Sequence, residues 1–582
     1  MAASTLRPPT ETDVPDTSTD DDAPPRGDHI RRILLTGSLI LAGACAIALL
    51  IPVVAAPVHA DDRYWYLMIG PRADGSILEV LRWSWERVPE EVQSGRLATL
   101  AGVERRLIGM GVIEAAVATA TPIVVYQALV KLALVFGGVL TGVSYVRSLR
   151  WRSQDGRLTR ASRRTLLLVG VATTLAAAIG AQAQSQFRNG WTSYAVLTYG
   201  AVIFIMGSVA LLLWLTRLVA ERAKATAAVS ILVLLLLAVA TNLSYELVYP
   251  AVPVAALALL VVPVTDGARR SVGRRAKLIT GSAYLGGFLA IFVVIRLYLA
   301  EVCASSECYE GAQPHVGLGA ARTALLNLLT AVPGAGGNEL LADLDRVGWA
   351  DQYPVPPNAW SVLVGLGTLG ALFAVWWATR PDPHVDIELG GKNADGADRR
   401  AEATMLAVGG GLSLLVALGT AAVMGISVQA QEIITEPGTP YRNTMVTWFG
   451  LAFCLVLVVR ALTLAVPRRG GIVVWGALAV LVGTVGALTL PGNLMALRAY
   501  RVHPDLAVTE AINWEVALGD STPESDARRC SVFRELADSM SDEWTRSRIY
   551  SDANIAFRHY HGLPFCSDPS YPGFSADVSN DG

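Results

Sequence analysis

Residues 33–54, ILLTGSLILAGACAIALLIPVV, decide the fold because 22 consecutive positions carry no charged side chain. A helix needs about 20 apolar residues to cross the hydrocarbon core of a bilayer. Similar stretches recur along the chain, and we predict an all-α polytopic membrane protein with about eleven transmembrane helices. The predicted spans are residues 33–55, 121–146, 165–184, 194–216, 226–247, 249–265, 278–299, 358–379, 404–426, 444–466 and 471–490. The sixth is short and contains Pro250, Pro253 and Pro263.

The composition agrees with this class. Of 582 residues, 53% are hydrophobic and only 16% are charged, which excludes an ordinary soluble enzyme. No basic groove accompanies the arginines, so we predict no nucleic-acid partner. The apolar core of the first span is too long, and its polar leader too extended, for a cleaved signal peptide.

The distribution of Lys and Arg predicts the orientation. Residues 147–164 and 269–277 are rich in basic side chains, whereas the short loops of opposite parity hold only Arg188 and Arg442. Cytoplasmic loops carry the excess of Lys and Arg. We therefore predict a multi-pass protein of a bacterial plasma membrane, with a cytoplasmic N-terminus and an extracytoplasmic C-terminus.

Cysteine positions provide an independent check. Cys303, Cys308, Cys530 and Cys566 all fall in segments that the charge rule places outside the cell. Disulfides form in such an oxidising compartment. We predict the pairs 303–308 and 530–566, because neither pair has histidines at the spacing of a metal site.

The chain divides into three parts. Residues 1–32 are predicted to be a disordered cytoplasmic tail, and 33–492 a transmembrane domain with long outer loops at 56–120 and 300–357. Amphipathic patterns in the first outer loop predict interfacial helices, with Trp83 and Trp85 at headgroup level. Residues 493–582 are predicted to form a small extracytoplasmic domain of mixed helix and strand.

Two adjacent aspartates, Asp61 and Asp62, follow the first span in the run HADDRYWY, residues 59–66. Adjacent carboxylates at a membrane surface repel each other and anionic headgroups, so this position favours a functional role. With the long outer loop and later spans, the run resembles the GT-C superfamily of integral-membrane glycosyltransferases. It is similar in particular to the bacterial glucosyltransferase II type, whose first loop opens with a comparable Asp-Asp-aromatic run.

The resemblance implies an inverting transfer of sugar from a polyprenyl-phosphate donor to a cell-envelope glycan or glycolipid on the outer face. An acceptor hydroxyl needs a positioned base or a metal ion. Asp61 or Asp62 would supply the base, or the pair would hold Mg²⁺ or Mn²⁺. The sequence does not separate these roles or show which aspartate is essential. The structural alternative is that both only cap the next helix or end the span in water.

A leaving polyprenyl phosphate needs cationic partners. Arg442, in the run TPYRNT of residues 439–444, is the leading candidate. Snorkelling or an ion pair is its structural explanation. Lys131 lies inside the second span, where a lysine costs about 2.5–3.5 kcal/mol on insertion scales, so it needs a ligand or a buried partner. The further candidates for the donor phosphate are Arg188 and Arg296, and those for sugar contacts are Arg63, Tyr64, Tyr245 and Glu246.

Two other classes of protein remain open. A transporter or flippase of a lipid-linked precursor would also place charges in the bilayer, although no inverted repeat is evident. A non-catalytic envelope assembly protein on the same scaffold would use its C-terminal domain to bind a partner.

Overall fold

A computed structural model describes residues 26–56, 61–181, 195–221, 224–305, 308–335, 358–379, 394–436, 438–439, 442–502, 504–540 and 542–572. About 82% of the residues that the structure describes are helical. Ten helices in the described part are long and apolar enough to cross a membrane. The predicted class, an all-α polytopic membrane protein, is confirmed at this level.

Four helices of 6 to 20 residues separate the first two membrane helices, where interfacial helices are predicted. The side chain of Ser76 caps the third helix by accepting a hydrogen bond from the Glu79 amide. On that helix Trp85 is 75% exposed, whereas Trp83 is buried against the protein. The helices are α1 (Arg26–Val54), α2 (Asp61–Ala73), α3 (Ile77–Glu86), α4 (Val88–Gln93), α5 (Thr99–Ala118) and α6 (Ile123–Ser148).

A small hairpin and six helices follow. The hairpin pairs strands β1 and β2, with Trp151 opposite Thr159. A π-helical turn, Ser282–Gly286, joins two of the helices into one apolar rod. The elements are β1 (Trp151–Arg152), β2 (Leu158–Thr159), α7 (Arg163–Gly180), α8 (Ala195–Glu221), α9 (Lys224–Leu243), α10 (Ala251–Val261), α11 (Arg270–Gly281) and α12 (Gly287–Ser305).

The helix α6 separates two faces of the bundle, since its 26 residues extend about 39 Å. We call the face that carries α2–α5 the loop face, and the face that carries β1 and β2 the hairpin face. Glu246 lies beside Arg96 on the loop face. Thr265 accepts a hydrogen bond from Arg152 on the hairpin face. The chain between residues 246 and 265 therefore runs from one face to the other.

The sixth predicted span is nevertheless wrong as a full transmembrane helix. Its helix, α10, has only 11 residues, which is about 16 Å of rise. Pro250 occupies its N-cap, and Pro263 lies two residues beyond its last residue. Proline cannot donate the backbone hydrogen bond that would continue the helix. The rest of this crossing is non-helical or a short 3₁₀ turn.

The remaining membrane helices pack closely at glycines. A Cβ on Gly410 would lie 3.0 Å from Val458, and one on Gly450 would lie 2.8 Å from the backbone of Ala417. Glycine at these two positions therefore lets neighbouring helices approach closely. The elements are α13 (Leu318–Thr330), α14 (Ala359–Ala378), α15 (Ala394–Gly425), α16 (Val428–Ile433), α17 (Thr444–Ala465) and α18 (Arg468–Val502).

The C-terminal segment forms α19 (Pro504–Leu518), α20 (Pro523–Ser539) and α21 (Glu543–His561). Its described residues contain no strand, so the prediction of mixed helix and strand is wrong there. The buried aromatic side chains of Phe533, Phe557 and Phe565 fill its core, and they need no sheet to be covered. This core continues into α5 and α6, so the C-terminal helices sit on the loop face.

Both predicted disulfides are present. Cys303 pairs with Cys308, and Cys530 pairs with Cys566. Both bonds lie on the loop face, as the charge and cysteine patterns predict. Cys45 and Cys454 are free thiols within membrane helices.

Candidate functional site

The acidic run begins a helix. The backbone of α2 starts at Asp61, which places Asp61 and Asp62 in its first turn. Carboxylates are favourable there for electrostatic reasons alone. The side chains of residues 61–66, which include Arg63 and Tyr64, lie outside the described part, as does Arg188. The roles assigned to these residues therefore stay predictions.

Lys131, in α6, contacts the C-terminal end of α1, which precedes the acidic run by a few residues. Its ammonium group donates to the carbonyl oxygens of Val54 and Ala56 at 3.4 and 3.5 Å, and the residue is 5% exposed. The Val54 carbonyl belongs to the last turn of α1, where a cation is stabilised by the helix dipole. Lys131 thus has buried backbone partners a few residues before Asp61, and its functional role stays a prediction.

A second polar group forms around Arg96 on the loop face. The Nε of Arg96 lies 3.8 Å from the Glu246 carboxylate, and their side chains are 20% and 16% exposed. The guanidinium stands over the Tyr309 ring at 4.5 Å and the Tyr245 ring at 5.8 Å. We call Arg96, Tyr245, Glu246 and Tyr309 the Arg96 cluster.

Arg442 is close enough to this cluster to act on Arg96 electrostatically. Burial alone would lower the pKa of Arg96, but Tyr245, Glu246 and Tyr309 raise it above its ordinary value, against the opposing effect of Arg442. Arg96 therefore stays charged, with a second guanidinium in electrostatic range. The structure brings together three residues that the sequence singles out, Tyr245, Glu246 and Arg442.

The short cystine loop holds Arg96 in place. Gly95 has φ +78°, and a Cβ there would lie 2.9 Å from the Cys303 sulfur and 3.0 Å from that of Cys308. Only glycine accepts both that backbone conformation and that close approach. The amide of Tyr309 donates to the Ser94 carbonyl at 3.2 Å. The disulfide thus places the Tyr309 ring over Arg96.

Beside Arg442 lies a buried amide pair. The amides of Asn327 and Asn443 exchange hydrogen bonds of 2.9 and 2.7 Å, and both residues are fully buried. The Asn443 amide also donates to the Thr447 hydroxyl at 3.3 Å. Because all these groups are buried, their hydrogen bonds hold α13 and α17 in register at the base of Arg442.

Arg296 occupies the other side of the turn that carries Glu246. Its guanidinium lies 5.9 Å from the Tyr249 ring and 5.4 Å from the Phe292 ring. A cation over aromatic rings is stabilised without an anion. Arg296 therefore has a structural explanation.

The C-terminal helices clamp α2 from outside. A Cβ on Gly70 would overlap the hydroxyl oxygen of Tyr560, so the Tyr560 side chain contacts the backbone of α2 directly. Its hydroxyl lies 2.9 Å from the Glu114 carboxylate of α5, to which it donates. Tyr560 therefore joins α2, α5 and α21.

Sequence reasoning missed Arg96, Tyr309 and Tyr560. Arg96 lies in a long loop, where Lys and Arg carry no information on orientation. The one sequence signal near Arg96 is Gly95, which indicates a turn but does not show which residues Arg96 contacts. In the described part of the chain, no three His, Cys, Asp or Glu side chains form a group that could hold a metal ion.

No family model matches this chain, and no curated protein or solved structure is significantly similar to it.

Proposed function

We propose that the protein is an integral-membrane glycosyltransferase that takes sugar from a polyprenyl-phosphate donor and passes it to a cell-envelope glycan or glycolipid. The observation that carries the proposal is the Arg96–Glu246 pair at 3.8 Å, on the face where α2 begins at Asp61. In this proposal the loop face is extracytoplasmic, as the Lys and Arg bias predicts.

The geometry of the pair leaves room for a third group. A separation of 3.8 Å is too long for a hydrogen bond. Arg96 Nε and Glu246 Oε2 are buried and have no hydrogen-bond partner within the described residues. Buried polar atoms are rarely left so unless a ligand or water completes them. A phosphate oxygen suits Arg96, and a sugar hydroxyl suits Glu246.

The proposed reaction is a single displacement. The acceptor oxygen forms a bond to the anomeric carbon, and the bond from that carbon to the phosphate oxygen breaks. The hydroxyl proton passes to one carboxylate of the Asp61–Asp62 pair. If the pair held Mg²⁺ or Mn²⁺ instead, the ion would supply Lewis acidity toward the hydroxyl, and the proton would go to solvent. The leaving polyprenyl phosphate is stabilised by Arg96, with the charge of Arg442 nearby.

Purified protein incubated with polyprenyl-phosphate-linked sugars and envelope acceptors tests this reaction. We expect Asp61→Asn or Asp62→Asn to abolish transfer while yield and thermal stability stay unchanged. Asp74→Asn is the matched control, because Asp74 follows the same helix and its carboxylate is well exposed, 3.8 Å from His559. Full activity in both single variants would overturn the catalytic assignment.

One observation favours the second candidate, a flippase of a lipid-linked precursor. The short helix α10 and the π-helical turn Ser282–Gly286 are interruptions of the kind found in transporters. Product formation in detergent, where no membrane separates two compartments, supports the transferase. Lipid movement in proteoliposomes without any product supports the flippase.

A further inference from the structure

A large recess opens on the hairpin face, far from the Arg96 cluster. It lies between α10, α11 and the hairpin, and its volume is about 1170 Å³. Four basic residues are among those that line it, Arg152, Arg270, Arg274 and Lys277. Much of the remaining lining is apolar and includes Leu260 and Leu278.

The recess exists because α10 is short. Its helix ends at Val261, and the chain then continues without regular structure through Pro263 to Thr265. The neighbouring rod of α11 and α12 continues past this point toward the hairpin face. The missing helical turns leave the space of the recess, and Ser282 of the π-helical turn lines it.

The recess opens toward the lipid-facing surface of the helices. Leu260 is 76% exposed and Leu278 is 65% exposed, although both belong to apolar crossing segments. Large apolar side chains exposed on such helices face the acyl chains of the bilayer. A molecule in the recess can therefore place acyl chains against Leu260 and Leu278 while its polar end lies among the basic side chains.

The cations are arranged for an anion. In the described part of the chain, no ion pair joins any of these four residues to a carboxylate. One nitrogen of Arg152 donates to the Thr265 carbonyl at 3.2 Å, whereas its Nε is buried and has no partner there. The positive-inside rule explains why basic residues lie on this face. It does not explain why four of them line one apolar recess.

We propose that this recess is a binding site for an anionic phospholipid, whose phosphate headgroup contacts Arg152, Arg274 and Lys277. Basic pockets between membrane helices on the cytoplasmic side suit such headgroups. The volume exceeds that of ordinary small-molecule pockets, which is about 300–1,000 Å³, and it accommodates a headgroup with the upper part of its chains. The inference does not depend on the proposed transferase activity.

The test uses the full-length protein in neutral detergent. Phosphatidylglycerol, phosphatidylcholine and inorganic phosphate are added separately, and bound lipid is measured by native mass spectrometry and by the shift in melting temperature. The test variant is Arg152→Gln/Arg274→Gln/Lys277→Gln. The control, Arg157→Gln/Arg269→Gln/Arg275→Gln, removes the same charge from the same face but changes no residue that lines the recess.

We expect phosphatidylglycerol to bind the native protein, and its affinity to fall at least about tenfold in the test variant and less than about twofold in the control. A lysine version, Arg152→Lys/Arg274→Lys, should keep most of the binding and shows that the site tolerates substitution. Equal loss in test and control variants would overturn the proposal. So would equal binding of phosphatidylcholine, or full stabilisation by inorganic phosphate alone, which would indicate a site for free phosphate.

Discussion

The hydroxyl of Tyr560 lies 2.9 Å from the carboxylate of Glu114, 446 positions earlier in the chain. The same tyrosine rests on Gly70, in the helix that begins with the acidic run. One side chain of the C-terminal helices therefore contacts the two helices, α2 and α5, that shape the loop face. The C-terminal helices are thus joined directly to the first outer segment of the chain.

Gly70→Ala should reduce transfer and lower the melting temperature. Alanine normally favours a helix over glycine by about 1 kcal/mol, so a loss of stability indicates the clash with Tyr560. Tyr560→Ala in the same chain should recover part of the stability. Gly43→Ala is the control, because a Cβ at Gly43 meets nothing within 4 Å. Unchanged stability in Gly70→Ala would contradict the contact.

Arg96→Gln should abolish use of the lipid-linked donor. It also leaves Glu246 without its cation, at a cost of about 1–3 kcal/mol after allowance for the partial exposure of both side chains. Arg96→Gln/Glu246→Gln should restore stability but not transfer. Arg87→Gln, which breaks an exposed pair with Glu90, serves as the control. Donor kinetics and thermal melting measure the two effects; normal donor use by Arg96→Gln would refute the role.

The two disulfides should differ in what their loss does. In the chain-entropy account, removing Cys530–Cys566 costs about 4 kcal/mol, and removing the shorter Cys303–Cys308 loop costs about 2 kcal/mol. Only the Cys303–Cys308 disulfide holds Tyr309 over Arg96. Serine variants of the 303–308 pair should therefore lose transfer out of proportion to stability, measured by activity at a temperature where both variants stay folded. A larger loss of transfer in serine variants of the 530–566 pair than in those of the 303–308 pair would contradict this assignment.

Asp552 should make stability depend on pH. Burial raises the pKa of Asp552 to about 6, against the effects of Arg548 and Arg72. Between about pH 4 and 6 the folded protein holds a proton that the unfolded chain has released, so stability falls as pH rises through this window. Asp552→Asn should remove this slope and stabilise the protein at pH 8 by up to about 3 kcal/mol. Melting curves at pH 5 and 8 test it, with exposed Asp538→Asn as the control.

Long apolar runs such as residues 33–54 predicted eleven spans, and ten of them correspond to helices of membrane-crossing length. Their length and composition suffice, because in a bilayer every helix must satisfy its own backbone hydrogen bonds. The sixth run failed because prolines limit a helix locally, while its crossing was completed by non-helical chain packed against other helices. The C-terminal segment failed too, since a small core of aromatics can be enclosed by helices as well as by sheet.

The disulfide pairs and the shared face of the outer segments also followed from the pattern of residues alone. Charge bias and cysteine position are properties of single residues, so they can be read without knowing how the helices pack. Arg96 acquired its neighbours only in the folded chain. Its contacts with Glu246 and Tyr309 join segments that are about 150 and 210 positions away in sequence. Because such long-range contacts are made by tertiary packing, no local pattern of residue types records them.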